Sequence, residues 1–196
     1  MSSISSTWIV IGVLVVLVIL VIVGLWVAGV FNGLVRLRNL VQAAWRQIDV
    51  ELKRRHDLIP NLVETVRAYA VHERDALESV VAARAAASRP NESVQAAAVA
   101  EGALSTALGR LFAVAEAYPD LKANQNFQQL QSELSDIENK LAASRRFFNN
   151  AVQEYNTGIQ QFPAALFAAT LGFTQRTFFD VGEERAVMEK APQVKF

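Results

Sequence analysis

The feature that most constrains this chain is an uncharged apolar stretch near its N-terminus. Residues 8–30 read WIVIGVLVVLVILVIVGLWVAGV. A helix rises about 1.5 Å per residue, so this stretch is long enough to cross a hydrocarbon core of about 30 Å. A cleaved signal peptide would begin with basic residues and carry a shorter apolar core, whereas residues 1–7, MSSISST, contain no basic side chain. The stretch therefore predicts one retained transmembrane helix over residues 8–30.

The charges that flank the apolar stretch predict its orientation. Basic residues follow it, beginning with Arg36 and Arg38, and none precedes it. By the positive-inside rule, residues 1–7 lie outside and the rest of the chain lies in the cytoplasm, as in a single-pass protein of the inner membrane. Trp26 is predicted to contact lipid at the headgroup level, and each of the two arginines is predicted to meet anionic lipid with about 1 kcal/mol.

Composition excludes several classes of function. The chain of 196 residues has 19 basic and 19 acidic residues and a formal net charge of +0, so no strong field attracts nucleic acid. It contains no cysteine, which excludes disulfides, thiolate chemistry and cysteine-bound zinc. Neither a GxSxG nor a P-loop motif occurs. We therefore predict a protein that is not an enzyme, with no catalytic residues, no cofactor and no metal.

Apolar residues recur at helical spacing through residues 31–173 and predict an all-α fold. We expect an antiparallel bundle of three long helices plus a short C-terminal one. The first helix continues from the anchor to a turn at Ser88–Asn91, where Asn91 is the predicted N-cap of the second helix. The second helix is expected over about 92–117 and the third over about 125–161.

The third helix has the most regular pattern. Large apolar residues are spaced by sevens, which is typical of a coiled-coil-like bundle helix: Phe127, Leu134, Leu141, Phe148, Tyr155 and Phe162. The paired positions become small towards the C-terminus and end at Gly158, which predicts a close helix approach there. The following segment, PAALFAATLGF, forms either a short helix that covers the end of the bundle, which we favour, or a contact with membrane or a partner. Residues 174–196 form a polar tail that is expected to be disordered until bound.

Two long blocks of the sequence resemble a known family. The blocks LVRLRNLVQAAWRQIDVELKRRHDLIPNLVETVRAYAVHE and LFAVAEAYPDLKANQNFQQLQSELSDIENKLAASRRFFNNAVQEYNTGIQQFP are similar to the LemA family of bacterial membrane proteins. The resemblance covers about residues 32–173, although Phe148 stands where that family often has tyrosine. It implies an N-terminal anchor, a short outer N-terminus and a cytoplasmic helical bundle, and it implies no activity.

The segment KRRHDLIPNLVETVRAYAVHE holds both histidines of the chain, each followed by a carboxylate. On one straight helix, His56 and His72 would be separated by about 160° of rotation and about 24 Å of rise, so they cannot share a metal. Pro60 either kinks a single helix, leaving the carbonyl of His56 to find water or a side chain, or begins a new helix after a turn. We favour the kinked helix, because the apolar pattern continues across the proline.

These observations lead to three functional hypotheses. The first is a membrane-anchored scaffold that binds an unidentified protein partner or copies of itself, through a polar strip formed by Lys53, Arg54, Arg55, His56 and Asp57. The alternative is membrane organisation by lateral homo-oligomerisation, with Gly24 and Gly29 of the anchor as points of helix approach. The third is a metal-dependent enzyme that uses His56, Asp57 and His72.

Overall fold

The computed structural model describes residues 2–89 and 93–180, and in these ranges every regular element is helical. These ranges contain five α-helices: α1 (Ser2–Tyr69), α2 (Arg74–Ala87), α3 (Val94–Ala115), α4 (Pro119–Lys122) and α5 (Gln125–Gln160). A 3₁₀-helix over Ala164–Leu166 follows, where the sequence predicted a short C-terminal helix. The prediction of an all-α chain with a long apolar N-terminal helix is confirmed.

The N-terminal part of α1 is long and apolar enough to cross a membrane, and its side chains are exposed from Ile11 to Trp26. Within the described ranges, α3 is also long and apolar enough to cross a membrane. However, α3 places Leu104, Leu108 and Leu111 in the protein core. Its apolar character is explained by that burial, so α1 supplies the candidate membrane span.

The chain divides into two compact units, and helices α1 and α5 contribute to both. Of the described residues, the anchor unit comprises 2–41 and 153–176, and the core unit comprises 42–89, 93–152 and 177–180. Within the core unit, α1 and α5 are antiparallel. Trp45 of α1 meets Phe148 of α5 with 5.5 Å between ring centroids, and Arg55, further along α1, meets Glu138, earlier on α5, at 3.1 Å.

Pro60 lies inside α1, which continues to Tyr69. This confirms the single helix and excludes the turn at Pro60. A proline cannot donate the backbone hydrogen bond that the carbonyl four residues earlier would accept. The carbonyl oxygen of His56 instead accepts a hydrogen bond of 2.7 Å from Nε of Arg84 in α2. The Arg84 side chain therefore replaces the missing backbone donor, as the prediction of a single helix through Pro60 required.

The first helix ends earlier than its sequence pattern predicted. It stops at Tyr69 rather than near Ser88, and α2 begins at Arg74 as a separate helix. The break lets Leu77 and Val80 of α2 join the same buried cluster as Leu62 and other residues of α1. A continuous helix would carry these apolar side chains past the end of the bundle, so burial favours the reversal.

The start of α3 also differs from the prediction. Ser93 is its N-cap, and the Oγ of Ser93 accepts a hydrogen bond of 3.1 Å from the backbone N–H of Ala96. This bond satisfies one of the free donors at the helix start. Asn91, the predicted cap, lies outside the described residues.

The heptad positions of α5 are buried from Phe127 to Tyr155, but the pattern fails at Phe162, which is exposed beyond the end of the helix. The predicted close approach at Gly158 is confirmed within the anchor unit. A Cβ atom added at Gly158 would lie 2.9 Å from Cδ1 of Leu37 and 3.5 Å from Cδ2 of Leu34. Glycine therefore lets α5 pack closely against α1.

The described part of the predicted disordered tail, residues 174–180, is bonded to α5. In the anchor unit, the side chain of Asn156 donates to the carbonyl of Arg176 and accepts from its N–H, both at 2.8 Å. In the core unit, Asn149 makes the same pair of bonds with Phe179, at 3.1 and 2.9 Å. The buried ring of Phe179 lies 5.9 Å from that of Trp45. Residues 181–196 of the tail lie outside the described residues.

Candidate functional site

A buried group of charged side chains connects three helices of the core unit. Arg55 of α1 is only 4% exposed. Its guanidinium lies 3.3 Å from Glu101 of α3 and 3.1 Å from Glu138 of α5, and it donates a hydrogen bond of 2.8 Å to Ser105 Oγ. Because a buried guanidinium is costly without partners, these bonds require α1, α3 and α5 to keep their mutual register.

Glu101 is the centre of this group and is 1% exposed. One of its carboxylate oxygens meets Arg55, and the other lies 2.7 Å from Nε2 of His56. The second ring nitrogen of His56, Nδ1, lies 3.3 Å from Oγ of Ser88 at the end of α2. A carboxylate loses several kcal/mol of hydration when it is buried, and these two contacts offset part of that cost for Glu101.

A groove of about 600 Å³ lies beside this group in the core unit. One wall is α1 around His56, and the other is the C-terminal end of α2. Its lining is about equally polar and apolar and consists of Trp45, Asp49, Leu52, Lys53, His56, Asp57, Arg84, Ala87, Ser88, Arg89 and Ala97. Partial removal of water from Asp49 raises the pKa of its carboxyl above the ordinary value of 3.8. The walls of the groove therefore contain side chains of both charges and an aromatic ring.

The structure separates the five residues of the predicted polar strip. Lys53, Arg54 and Asp57 are exposed, with Lys53 Nζ 3.0 Å from Asp57 Oδ2. His56 is mostly covered but borders the groove. Arg55 points into the core, so its assignment to an exposed interaction surface is wrong. The reason is that it pairs with the buried carboxylate of Glu101 and with the partly exposed carboxylate of Glu138.

The chain Ser88–His56–Glu101 contains a hydroxyl, an imidazole and a carboxylate, which are the groups of a serine hydrolase triad. In that triad the serine faces Nε2 and the acid faces Nδ1. Here the two nitrogens have the opposite partners, and Glu101 also neutralises Arg55. The arrangement therefore fixes the imidazole ring and holds α2 against α1, which is a structural task.

The residues of the enzyme hypothesis are not brought together. Asp57 pairs with Lys53 on the outside of α1, away from Glu101. His72 lies in the turn after α1, and the helix from His56 to Tyr69 alone rises about 20 Å. Across residues 2–89 and 93–180, no group of three or more His, Cys, Asp or Glu side chains could hold a metal ion.

Sequence reasoning missed Glu101, Ser105, Ser88 and Arg84. A signal for Glu101 was present, because it is a single acidic residue within VQAAAVAEGALSTALG, a helix that otherwise reads as apolar and small. A lone carboxylate in such a helix requires a buried partner. The choice of Arg55 as that partner depends on the packing of α1 against α3.

The predicted lipid-contact residues all lie in the anchor unit. Trp26 and Arg36 are exposed. Arg38 is partly covered, with its guanidinium carbon 5.4 Å from the ring centroid of Phe173. These positions keep all three residues on or directly after the apolar part of α1, and their contact with lipid stays a prediction.

Comparison with known proteins identifies a family whose profile matches most of the chain. The LemA family profile matches residues 44–196. Protein LemA of Metamycoplasma hominis is 25% identical over 152 residues, which is 78% of this chain and 69% of that protein. Magnetosome protein MamQ of Magnetospirillum gryphiswaldense is 32% identical over 80 residues, which is 41% of this chain. Magnetosome protein MamQ 2 of Paramagnetospirillum magneticum matches to the same extent, and each of these matches spans 29% of the magnetosome protein.

Proposed function

Because the chain belongs to the LemA family, we propose that it is a non-enzymatic, membrane-anchored scaffold that binds a protein partner in the groove beside His56. The apolar part of α1 is its single anchor. The basic residues that follow the anchor support an orientation with the core unit at the cytoplasmic face of the inner membrane.

The observation that carries this proposal is that neighbouring side chains at residues 53–57 of α1 are either bonded inside the core unit or exposed at the groove. The inner side chains, Arg55 and His56, are bonded to Glu101 and hold the helices in place. The outer side chains, Lys53 and Asp57, remain exposed at the edge of the groove. A surface that is rigid beneath and charged above is suited to binding, because little side-chain freedom is lost on association.

The lining of the groove favours a polypeptide as the partner. Trp45 and Leu52 offer apolar contact, while Arg89 and Asp49 offer charges of opposite sign. Protein interfaces combine aromatic and arginine contacts with a polar rim in this way. A partner of this kind would be held by a few anchoring side chains rather than by net charge, consistent with the overall charge balance of the chain.

The proposal is tested by photocrosslinking in native membranes. A photoreactive amino acid replaces Arg89 in the groove, and in a matched control it replaces Gln131, which is exposed on α5 and does not line the groove. We expect a discrete crosslinked product from position 89 and none from position 131. The double variant Lys53→Asp with Asp57→Lys keeps the net charge and the ion pair but reverses the order of the rim charges, and it is expected to reduce the yield.

Each outcome distinguishes between the functional hypotheses. A product whose mass shows a different protein supports the scaffold. A product that contains only copies of this chain supports lateral homo-oligomerisation. Equal crosslinking from positions 89 and 131, or yields unaffected by the charge reversal, would refute the groove as the binding surface.

A further inference from the structure

The segment that follows α5 exposes large apolar side chains on one side and buries small ones on the other. Phe162 is 77% exposed and Leu166 is 75% exposed, and Leu171 is exposed beyond them. Ala164 and Ala168 face inward and are buried. No charged residue occurs between Phe162 and Phe173. Exposed apolar patches of this kind mark a surface that is covered by something else.

Two ring contacts within the anchor unit fix the level of this segment along α1. The rings of Phe162 and Trp26 have centroids 6.4 Å apart, and the rings of Phe173 and Phe31 have centroids 5.6 Å apart in an edge-on arrangement. Trp26 precedes the end of the apolar stretch at Val30 by about 6 Å of helix rise. Phe162 therefore lies alongside the apolar stretch itself rather than beyond it.

We propose that residues 162–171 form a second membrane contact, in which Phe162 and Leu166 enter the boundary between the headgroups and the hydrocarbon beside the anchor. An element that lies in this boundary buries its apolar face by about 5–10 Å, and the level of Phe162 falls within that range. If α1 spans the bilayer over residues 8–30, Phe162 meets lipid at that depth.

Charges around the segment support lipid as the occupant. Arg36 of α1 and Arg176, which follows the segment in sequence, are exposed, and the guanidinium of Arg38 covers the ring of Phe173. Basic side chains at this level can reach phosphate groups while their stems and neighbouring rings remain in the apolar layer. In the sequence, Arg176 follows the apolar segment in the same way as Arg36 and Arg38 follow the apolar stretch of α1.

The absence of native cysteine allows a direct test on the full chain. Single-cysteine variants Phe162→Cys and Leu166→Cys are labelled with an environment-sensitive fluorophore and placed in nanodiscs of phosphatidylcholine and phosphatidylglycerol, at one chain per disc. Gln131→Cys on α5 is the aqueous control, and Leu17→Cys in the middle of the apolar stretch is the lipid control. Quenching is measured with aqueous iodide and with brominated phosphatidylcholine.

We expect labels at positions 162 and 166 to show blue-shifted emission, loss of iodide quenching and strong quenching by brominated lipid, whereas position 131 shows the reverse. The inference rests on the anchor and is independent of the groove. If position 17 is quenched by brominated lipid while positions 162 and 166 are quenched only by iodide, the second contact is refuted although the anchor stands. Shielding that appears only when several chains share a disc would assign the patch to a second copy and would equally refute lipid as the occupant.

Discussion

Replacing Glu101 by leucine is the most informative perturbation of the buried charge group. It leaves Arg55 buried with one fewer carboxylate and removes the 2.7 Å contact of His56. Breaking a buried ion pair by removal of one partner costs about 3–5 kcal/mol. Arg55 still meets Glu138 at 3.1 Å and Ser105 at 2.8 Å. We therefore expect the free energy of unfolding to fall by about 3 kcal/mol, at the lower end of that range.

The double variant Arg55→Met with Glu101→Leu separates the ion pair from the packing. Removing both charges avoids an unpaired buried group, and apolar replacements of similar volume are often neutral or stabilising by about 1–4 kcal/mol. Glu138 is 43% exposed and keeps a contact of 3.5 Å with Arg145, so it remains solvated and partnered. The double variant is therefore expected to be more stable than Glu101→Leu alone, despite carrying one more substitution.

Urea unfolding of the full chain in detergent micelles measures these differences. The fluorescence of Trp45 reports on unfolding of the core unit because its ring meets Phe148 and Phe179. Trp8→Phe and Trp26→Phe are introduced in every sample to remove the other two indoles. Lys53→Ala is the matched control, since its exposed pair with Asp57 contributes at most about 1 kcal/mol. A loss below about 1 kcal/mol for Glu101→Leu, or a double variant less stable than the single one, would refute the reasoning.

Three further perturbations test separate contacts. Gly158→Leu places a bulky side chain where even a Cβ lies 2.9 Å from an α1 leucine methyl, so urea unfolding should show a loss of about 1–3 kcal/mol, whereas Gly158→Ala should be tolerated because that methyl can shift. Arg84→Met removes the donor to the His56 carbonyl, and the same assay should show a loss of about 1–3 kcal/mol. The hydrogen bond from Tyr118 to Glu73 raises the pKa of Tyr118 above 10.0, so its stabilising effect is complete below pH 10 and is lost as the pH rises through the folded-state pKa. Absorbance at 295 nm should show Glu73→Gln shifting this titration towards lower pH, and no shift would contradict the assigned cause.

The features that could be predicted from the sequence depend on local chemistry. The long apolar helix follows from an uncharged stretch, and the close approach at Gly158 follows from the shrinking heptad positions beside large ones. The continuity of α1 through Pro60 follows from the apolar pattern on both sides of it. Each of these predictions uses residues within a few helical turns of one another, where spacing alone determines which side chains share a face.

The features that could not be predicted depend on contacts between distant residues. The sequence AVHE, where α1 gives way to α2, contains no glycine or proline, so the reversal depends on burial of Leu77 and Val80 against other helices. In the same way, periodicity placed Arg55 on a polar strip. Its burial depends on Glu101, whose position relative to α1 is fixed only when the helices pack.

The proline of α1 connects the stability of the core unit to the shape of the groove. Because Pro60 leaves the His56 carbonyl without its helical donor, Arg84 fills that place and brings the end of α2 against α1. The same end of α2 supplies Ser88 and Arg89 to the groove wall. The missing backbone donor in α1 thus accounts for the contact that places the second wall of the groove. Changes at Arg84 should therefore reduce both stability and crosslinking from position 89, whereas changes at the exposed Lys53 should reduce crosslinking alone.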